Sequence, residues 1–216
     1  GGVCVHAGSK NDPADATGMA HYLEHMMFKG TNKIGTLDWK AEKPLIDQIS
    51  KLYDELAAST NDKEKKAILK NINKLSAEAA QYAIPNEVDA ILGQIGSTNV
   101  NAFTSNDITV YHNIFPSGEL EKWSVIYAER FRQPVFRLFQ SELEAVYEEY
   151  NMYSDDPFSV FSEDVMAAAF PNHPYGISVI GYPEHIKNPS MSKMQAASLS
   201  RSCVSATLTA TTCPTT

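Results

Sequence analysis

The stretch Gly18-Met-Ala-His21-Tyr-Leu-Glu24-His25-Met-Met-Phe-Lys-Gly-Thr31 puts two imidazoles and a carboxylate within five residues. Read as a helix over residues 18–29, positions four apart differ by about 40° and 6 Å, so His21, Glu24 and His25 share one face. That placement suits a catalytic metal: two imidazoles at about 2.0–2.1 Å from a zinc ion, and a carboxylate in reach of its water without ligating it. Two histidines four apart also occur as ordinary core or surface side chains. A catalytic zinc takes three protein ligands, so the metal reading requires one more from elsewhere.

Working outward, residues 2–7 alternate like a strand, and GSKNDPADATG is a turn-rich loop that delivers Asp15 or Thr17 as N-cap. Gly30 suits the left-handed position that ends the helix. Beyond it, Leu45, Ile49, Leu52, Tyr53 and Leu56, then Ile68, Ile72, Leu75, Ala79 and Tyr82, recur at helical spacing across the break STND, which predicts a helical hairpin over about 42–84. A short helix over residues 86–95 precedes NVNAFTSNDITVYHNIF, read as two strands or one bent pair. The plain reading of that stretch is an internal core strand.

Leu120, Trp123, Ile126 and Tyr127 mark a further helix, and Pro134 is expected to open another that runs to about residue 153. Its apolar stripe, Val135, Leu138, Phe139, Ala145, Val146 and Met152, contains two carboxylates, Glu142 and Glu149. A carboxylate on a buried face costs several kcal/mol, on the order of 2–7, unless it is paired or ligates a metal. Both therefore call for a cation, either a metal or one of Arg130, Arg132 and Arg137. Residues 159–170 read as helix, HPYG as a turn, and SVIGYPEHIKNPSMSKMQA as strand remnant, turn and helix.

Composition narrows the function. The 216 residues are 43% hydrophobic, enough for a buried core, and 26 acidic against 18 basic residues give a charge of −8. Such a balance offers no basic field for nucleic acid or an anionic membrane. Three dispersed cysteines suggest neither a disulfide framework nor a cysteine zinc site. No apolar run approaches the roughly 18 residues of a membrane-spanning helix. GGVCVHAG reads as a strand under way, so a piece of a longer polypeptide is expected, and the half-Ser/Thr stretch 197–216 is expected to be disordered or non-native.

GMAHYLEHMMFKGT carries H-x-x-E-H, the inverse of the common zinc-protease order. It resembles the signature helix of the pitrilysin, insulin-degrading enzyme and mitochondrial processing peptidase family. NAFTSNDITVYH, ELEAVYEEYNM and FPNHPYGISVIG resemble further segments of the same family, together covering most of residues 3–190. The resemblance implies an α+β fold, a mixed or antiparallel sheet packed against helices, and a catalytic domain over residues 1–196. It implies a zinc-dependent endopeptidase with His21, His25 and Glu149 as Zn²⁺ ligands, Glu24 as general base and Glu142 as its supporting glutamate. Asn99, Asn101, Ala102, Phe103 and Thr104 map to the substrate strand.

The longer separation between His25 and Glu149 is accounted for by the hairpin, as in the longer bacterial members, which suggests a periplasmic enzyme acting on peptide or unfolded protein. The family's peptidases also join a homologous C-terminal domain or a second subunit to close a chamber, and this chain carries one such domain. A catalytically silent binding subunit of the same fold is the alternative, and a zinc-stapled helical scaffold is a further one. The scaffold needs a fourth ligand, and His6, His112, His173 and His185 all sit in or near expected strands and turns.

Overall fold

Three strands form one antiparallel sheet in the order β1-β3-β2, with β1 at Gly2–Val5, β2 at Thr98–Thr104 and β3 at Thr109–Ile114. The computed structural model describes residues 1–187 and 189–201, with the side chains of 199–201 left aside. On β3, Thr109, Tyr111 and Asn113 face inward and are buried, the period-two pattern of a half-covered strand. The Asn113 amide ties strand to helix: its oxygen accepts from Trp123 Nε1 at 2.7 Å and Tyr127 Oη at 3.2 Å, and its nitrogen donates to Ser97 Oγ at 2.8 Å.

Around the sheet lie α1 (Met19–Met26), α2 (Trp39–Ala58), α3 (Asp62–Ala80), α4 (Glu87–Gln94), α5 (Leu120–Arg132), α6 (Phe139–Asp155), α7 (Pro157–Ala169), α8 (Pro183–Lys187) and α9 (Met191–Arg201). The expected hairpin is α2 and α3. Asp38 caps α2 by accepting from the amides of Lys40 and Ala41, and Asn61 caps α3 by accepting from Lys63. Ile46, Ile49, Tyr53 and Leu56 on α2 and Ile68 and Ile72 on α3 join the main core with Met26, Phe136, Phe139 and Val146, so the hairpin is packed into the domain.

Several boundaries differ from expectation. α1 starts at Met19 behind a left-handed Gly18 (φ 84°), and neither Asp15 nor Thr17 caps it. Asp12 Oδ1 instead accepts from the Ala20 amide at 2.9 Å, while Asp15 pairs with Lys193 and Thr17 Oγ1 engages His185 Nδ1 and the Tyr182 amide. Gly18 is obligatory, because a Cβ there would lie 2.2 Å from the Ile180 carbonyl oxygen. Close backbone packing at Ile180 and Gly181 replaces the expected strand remnant.

Pro134 does not open α6. It lies in an isolated bridge with Thr31, and the helix starts five residues later, after Leu138 at φ 55°. Val135 is buried but off the helix, and Met152 is 70% exposed, so the buried stripe of α6 is shorter than its sequence suggests. Gly30 is left-handed as expected (φ 89°). α9 extends past residue 196 to Arg201, with Ala197 packed against the core; residues 202–216 of the expected tail lie outside the described residues.

Candidate metal and peptide site

α1 is nearly all buried, with Met19, Ala20, Tyr22, Leu23 and Met26 held in the core, which fixes the direction of the face carrying His21, Glu24 and His25. α6 crosses that face. Tyr22 Oη donates to the Phe139 carbonyl at 2.7 Å, joining α1 to the first residue of α6. Nearly three turns further along, the Glu149 carboxylate lies 3.6 Å from His21 Nε2 and 3.5 Å from His25 Nε2, and the two Nε2 atoms are 3.3 Å apart. One ligand atom from each of these three residues falls within 4.8 Å of the others, the one such group among the described residues.

The donor set fits a divalent metal. Burial first, and the charge of His25 second, lower the pKa of His21 to about 4, so its ring is neutral near pH 7 and has a lone pair to give. His25 is held differently. Burial would lower its pKa, but the hydrogen bond and charge of Glu142, with Glu24 and Glu149, outweigh that and raise it. Its Nδ1 lies 2.9 Å from Glu142 Oε1, the placement that turns Nε2 toward Glu149.

Glu142 thus meets neither Arg130, Arg132 nor Arg137. Its partners are His25 and Lys29, whose ammonium pairs with Oε2. Burial pushes the Glu142 pKa up, and the hydrogen bonds and charges of those two partners bring it below the ordinary value. Arg137 pairs instead with Glu42, and Arg130 stacks on Phe28 and Tyr111 while Nε donates to the Met27 carbonyl. Lys29 was missed from sequence, although it lies four residues after His25 and so on the same face of the helix expected over residues 18–29.

Glu24 is buried at 8% exposure beside the histidines, with Oε2 accepting from Thr104 Oγ1 at 2.6 Å. Burial raises its pKa; the Thr104 bond and His25 oppose the rise, and Glu149 adds to it. Thr104 is the last residue of β2, and no local pattern links it to a carboxylate eighty positions earlier. β2 pairs with β3 on one side and with no strand on the other among the described residues, so Asn99 to Thr104 form a sheet edge beside α1. Asn101 and Phe103 are exposed, and Asn99 is left-handed (φ 51°) where the register shifts between Thr98 and Asn101.

A cleft opens from His21 and Glu149, walled by Tyr153, Phe158 and Met166 on one side and by Ile177 and Val179 on the other. The Tyr153 hydroxyl faces Glu149; partial burial, then that charge and hydrogen bond, raise its pKa. α7 buries none of its side chains, leaving exposed Phe158, which lines the cleft, and also Phe161 and Val165.

The sequence profile described as Insulinase (Peptidase family M16) matches residues 1–43 and 73–182, leaving out the middle of the α2–α3 hairpin. The chain is 25% identical over 183 residues to the uncharacterized zinc protease YmxG of Bacillus subtilis, covering 85% of this chain and 33% of that protein. It is 24% identical over 186 residues to the probable mitochondrial-processing peptidase subunit beta of Schizosaccharomyces pombe, covering 86% and 30%. It superposes on the periplasmic protease PqqL from Escherichia coli with a TM-score of 0.63 at 18% identity, over 93% of this chain and 18% of that one, a likeness of fold. The chain spans about a third of the length of the curated relatives it matches. No helix among the described residues is long and apolar enough to cross a membrane.

Proposed function

Because the chain belongs to the insulinase family, peptidase family M16, we propose that it is the catalytic domain of a zinc-dependent endopeptidase that hydrolyses extended peptides or unfolded protein. The observation that carries this reading is the convergence of two imidazole nitrogens and the Glu149 carboxylate beside a separate buried carboxylate, Glu24. His21, His25 and Glu149 would hold the Zn²⁺, which when bound supplies Lewis acidity for a scissile carbonyl and brings the pKa of a water to about 7.

The remaining work falls to the protein. Glu24 takes a proton from the attacking water and delivers it to the leaving amine; its raised pKa brings it closer to the working pH, where a general base is most effective. Thr104 holds one carboxylate oxygen so that the other keeps its direction. Glu142, anchored by Lys29, accepts from His25 Nδ1 and so sets the tautomer that presents Nε2. The free edge of β2 accepts a peptide by main-chain hydrogen bonds, with Asn99, Asn101, Ala102, Phe103 and Thr104 along it, which demands little of the substrate's sequence.

Residues 1–196 form the domain in this reading, and a homologous C-terminal domain or second subunit closes a chamber over it. The exposed apolar side chains of α7 support such a cover. A periplasmic location is proposed from the fold shared with PqqL.

The test is zinc content and peptide hydrolysis for the parent and Glu24→Gln, with the full-length polypeptide assayed alongside. One zinc in both, with hydrolysis lowered about 10²–10⁴-fold in the variant, is expected for a general base. Equal activity in both sinks Glu24 as the base. A parent without zinc sinks the metal assignment, and a full-length protein that holds zinc but cuts nothing favours the silent subunit.

A further inference from the structure

Arg137 lies outside the zinc site, two residues before α6, and is 2% exposed. Its guanidinium donates through Nε to Glu42 Oε1 at 2.9 Å and through Nη2 to Glu42 Oε2 at 3.0 Å, a bidentate pair with a carboxylate that is itself fully buried. The remaining donors all go to the segment that follows α1. Nη1 donates to the carbonyls of Lys29 at 2.6 Å and Ile34 at 3.0 Å, and Nη2 to that of Thr31 at 2.8 Å. Five N–H groups meet five acceptors, which leaves the fork no slack.

The segment is shaped around that fork. Gly30 and Gly35 are both left-handed, and a Cβ on them would lie 3.0 and 2.8 Å from Nη1. The Val135 amide donates to the Gly30 carbonyl at 3.1 Å, so the strand-like run before α6 is also joined to the end of α1. Lys29 is held at both ends: its carbonyl by Arg137, its ammonium by Glu142, which reaches His25.

We propose that Arg137, set by Glu42, is a positioning residue that fixes the spacing and rotation of α6 against α1, and through Lys29 and Glu142 the direction of His25. The inference rests on the zinc-site reading above. It goes beyond it in making the root of the α2–α3 hairpin, where Glu42 sits, part of what holds the metal ligands in register. Lysine cannot replace arginine here, because a point charge satisfies Glu42 but cannot bridge three carbonyls. The fold itself has other ties, including Tyr22 to Phe139 and the core of the hairpin.

The experiment compares the 216-residue chain with Arg137→Lys, with Glu42→Leu/Arg137→Met, and with Leu56→Ala, which removes core volume from α2 away from the fork. Zinc affinity is read by competition with a chromophoric chelator, and folding by circular dichroism and thermal melts. Arg137→Lys is expected to keep its helical spectrum while zinc affinity falls about 10–100-fold, the range for residues that orient metal ligands. The double variant removes both buried charges together, a change that folds tolerate, and is expected to lose zinc affinity as well. Leu56→Ala is expected to melt earlier with unchanged zinc affinity.

Parent-like zinc affinity in the folded Arg137 variants overturns the positioning role and leaves the zinc site standing. So does a loss in Leu56→Ala as large as in Arg137→Lys. Unfolding of both Arg137 variants makes Arg137 a residue of the fold alone and also overturns the role. A parent chain that binds no zinc overturns this inference together with the site.

Discussion

Thr104 and Lys29 each act on a charged neighbour, and the two differ in how they are found. In the helix expected over residues 18–29, Lys29 follows His25 by one turn, so that geometry puts it near whatever His25 meets, although α1 itself ends at Met26. Thr104 reaches Glu24 only because β2 and α1 pack together, and nothing in either local sequence announces it. The same contrast separates Glu142 and Glu149, legible as carboxylates on an apolar stripe, from Glu42, which no sequence pattern singles out, and Arg137, which the sequence offered only as one of three arginines. Thr104→Val keeps shape and removes the donor to Glu24; a hydrogen bond to a charged group contributes about 1.5–3 kcal/mol. Peptide hydrolysis is therefore expected to fall about 10–100-fold, converting that energy at 1.4 kcal/mol per decade, with zinc content unchanged. Steady-state kinetics with metal analysis on the same preparation checks both halves.

Helices with strong apolar periodicity were legible: α2 and α3 make up the expected hairpin, with α2 starting three residues early, α1 carries His21, Glu24 and His25, and α6 carries Glu142 and Glu149. Their starts were not. Pro134 has the chemistry of a first helical residue, but it bridges Thr31 and its neighbour Val135 donates to Gly30, so tertiary contact overrode the local signal. The expected strand near residue 180 failed for a related reason, since the backbone there is committed to Gly18. The loop between α1 and α2 gives a direct test at this scale. Gly35→Ala combines a left-handed backbone (φ 88°) with a Cβ 2.8 Å from Arg137 Nη1. Destabilisation of about 1–3 kcal/mol is expected from the backbone conformation, read as a lower denaturant midpoint with an unchanged slope.

At the scale of the molecule, the core that joins sheet, hairpin, α1 and α6 is assembled from apolar side chains and does not depend on a metal for its bulk. Chelation is thus expected to leave the helical spectrum in place and lower the melting temperature, since a ligand at about 100 times its Kd contributes about 2.7 kcal/mol. Complete loss of helical signal on chelation would show instead that the site organises the fold. His21 and His25 stand on adjacent turns of one buried helix, so their backbone spacing is fixed while that helix is wound. Glu149 arrives on a different body. In the proposed zinc site the three donors therefore meet across a single joint, between α1 and α6, and a slower opening of that joint means a longer-lived centre. Metal exchange at that proposed site would be a clock for the breathing of two helices, and a partner that clasps α1 to α6 would slow the clock without touching a ligand.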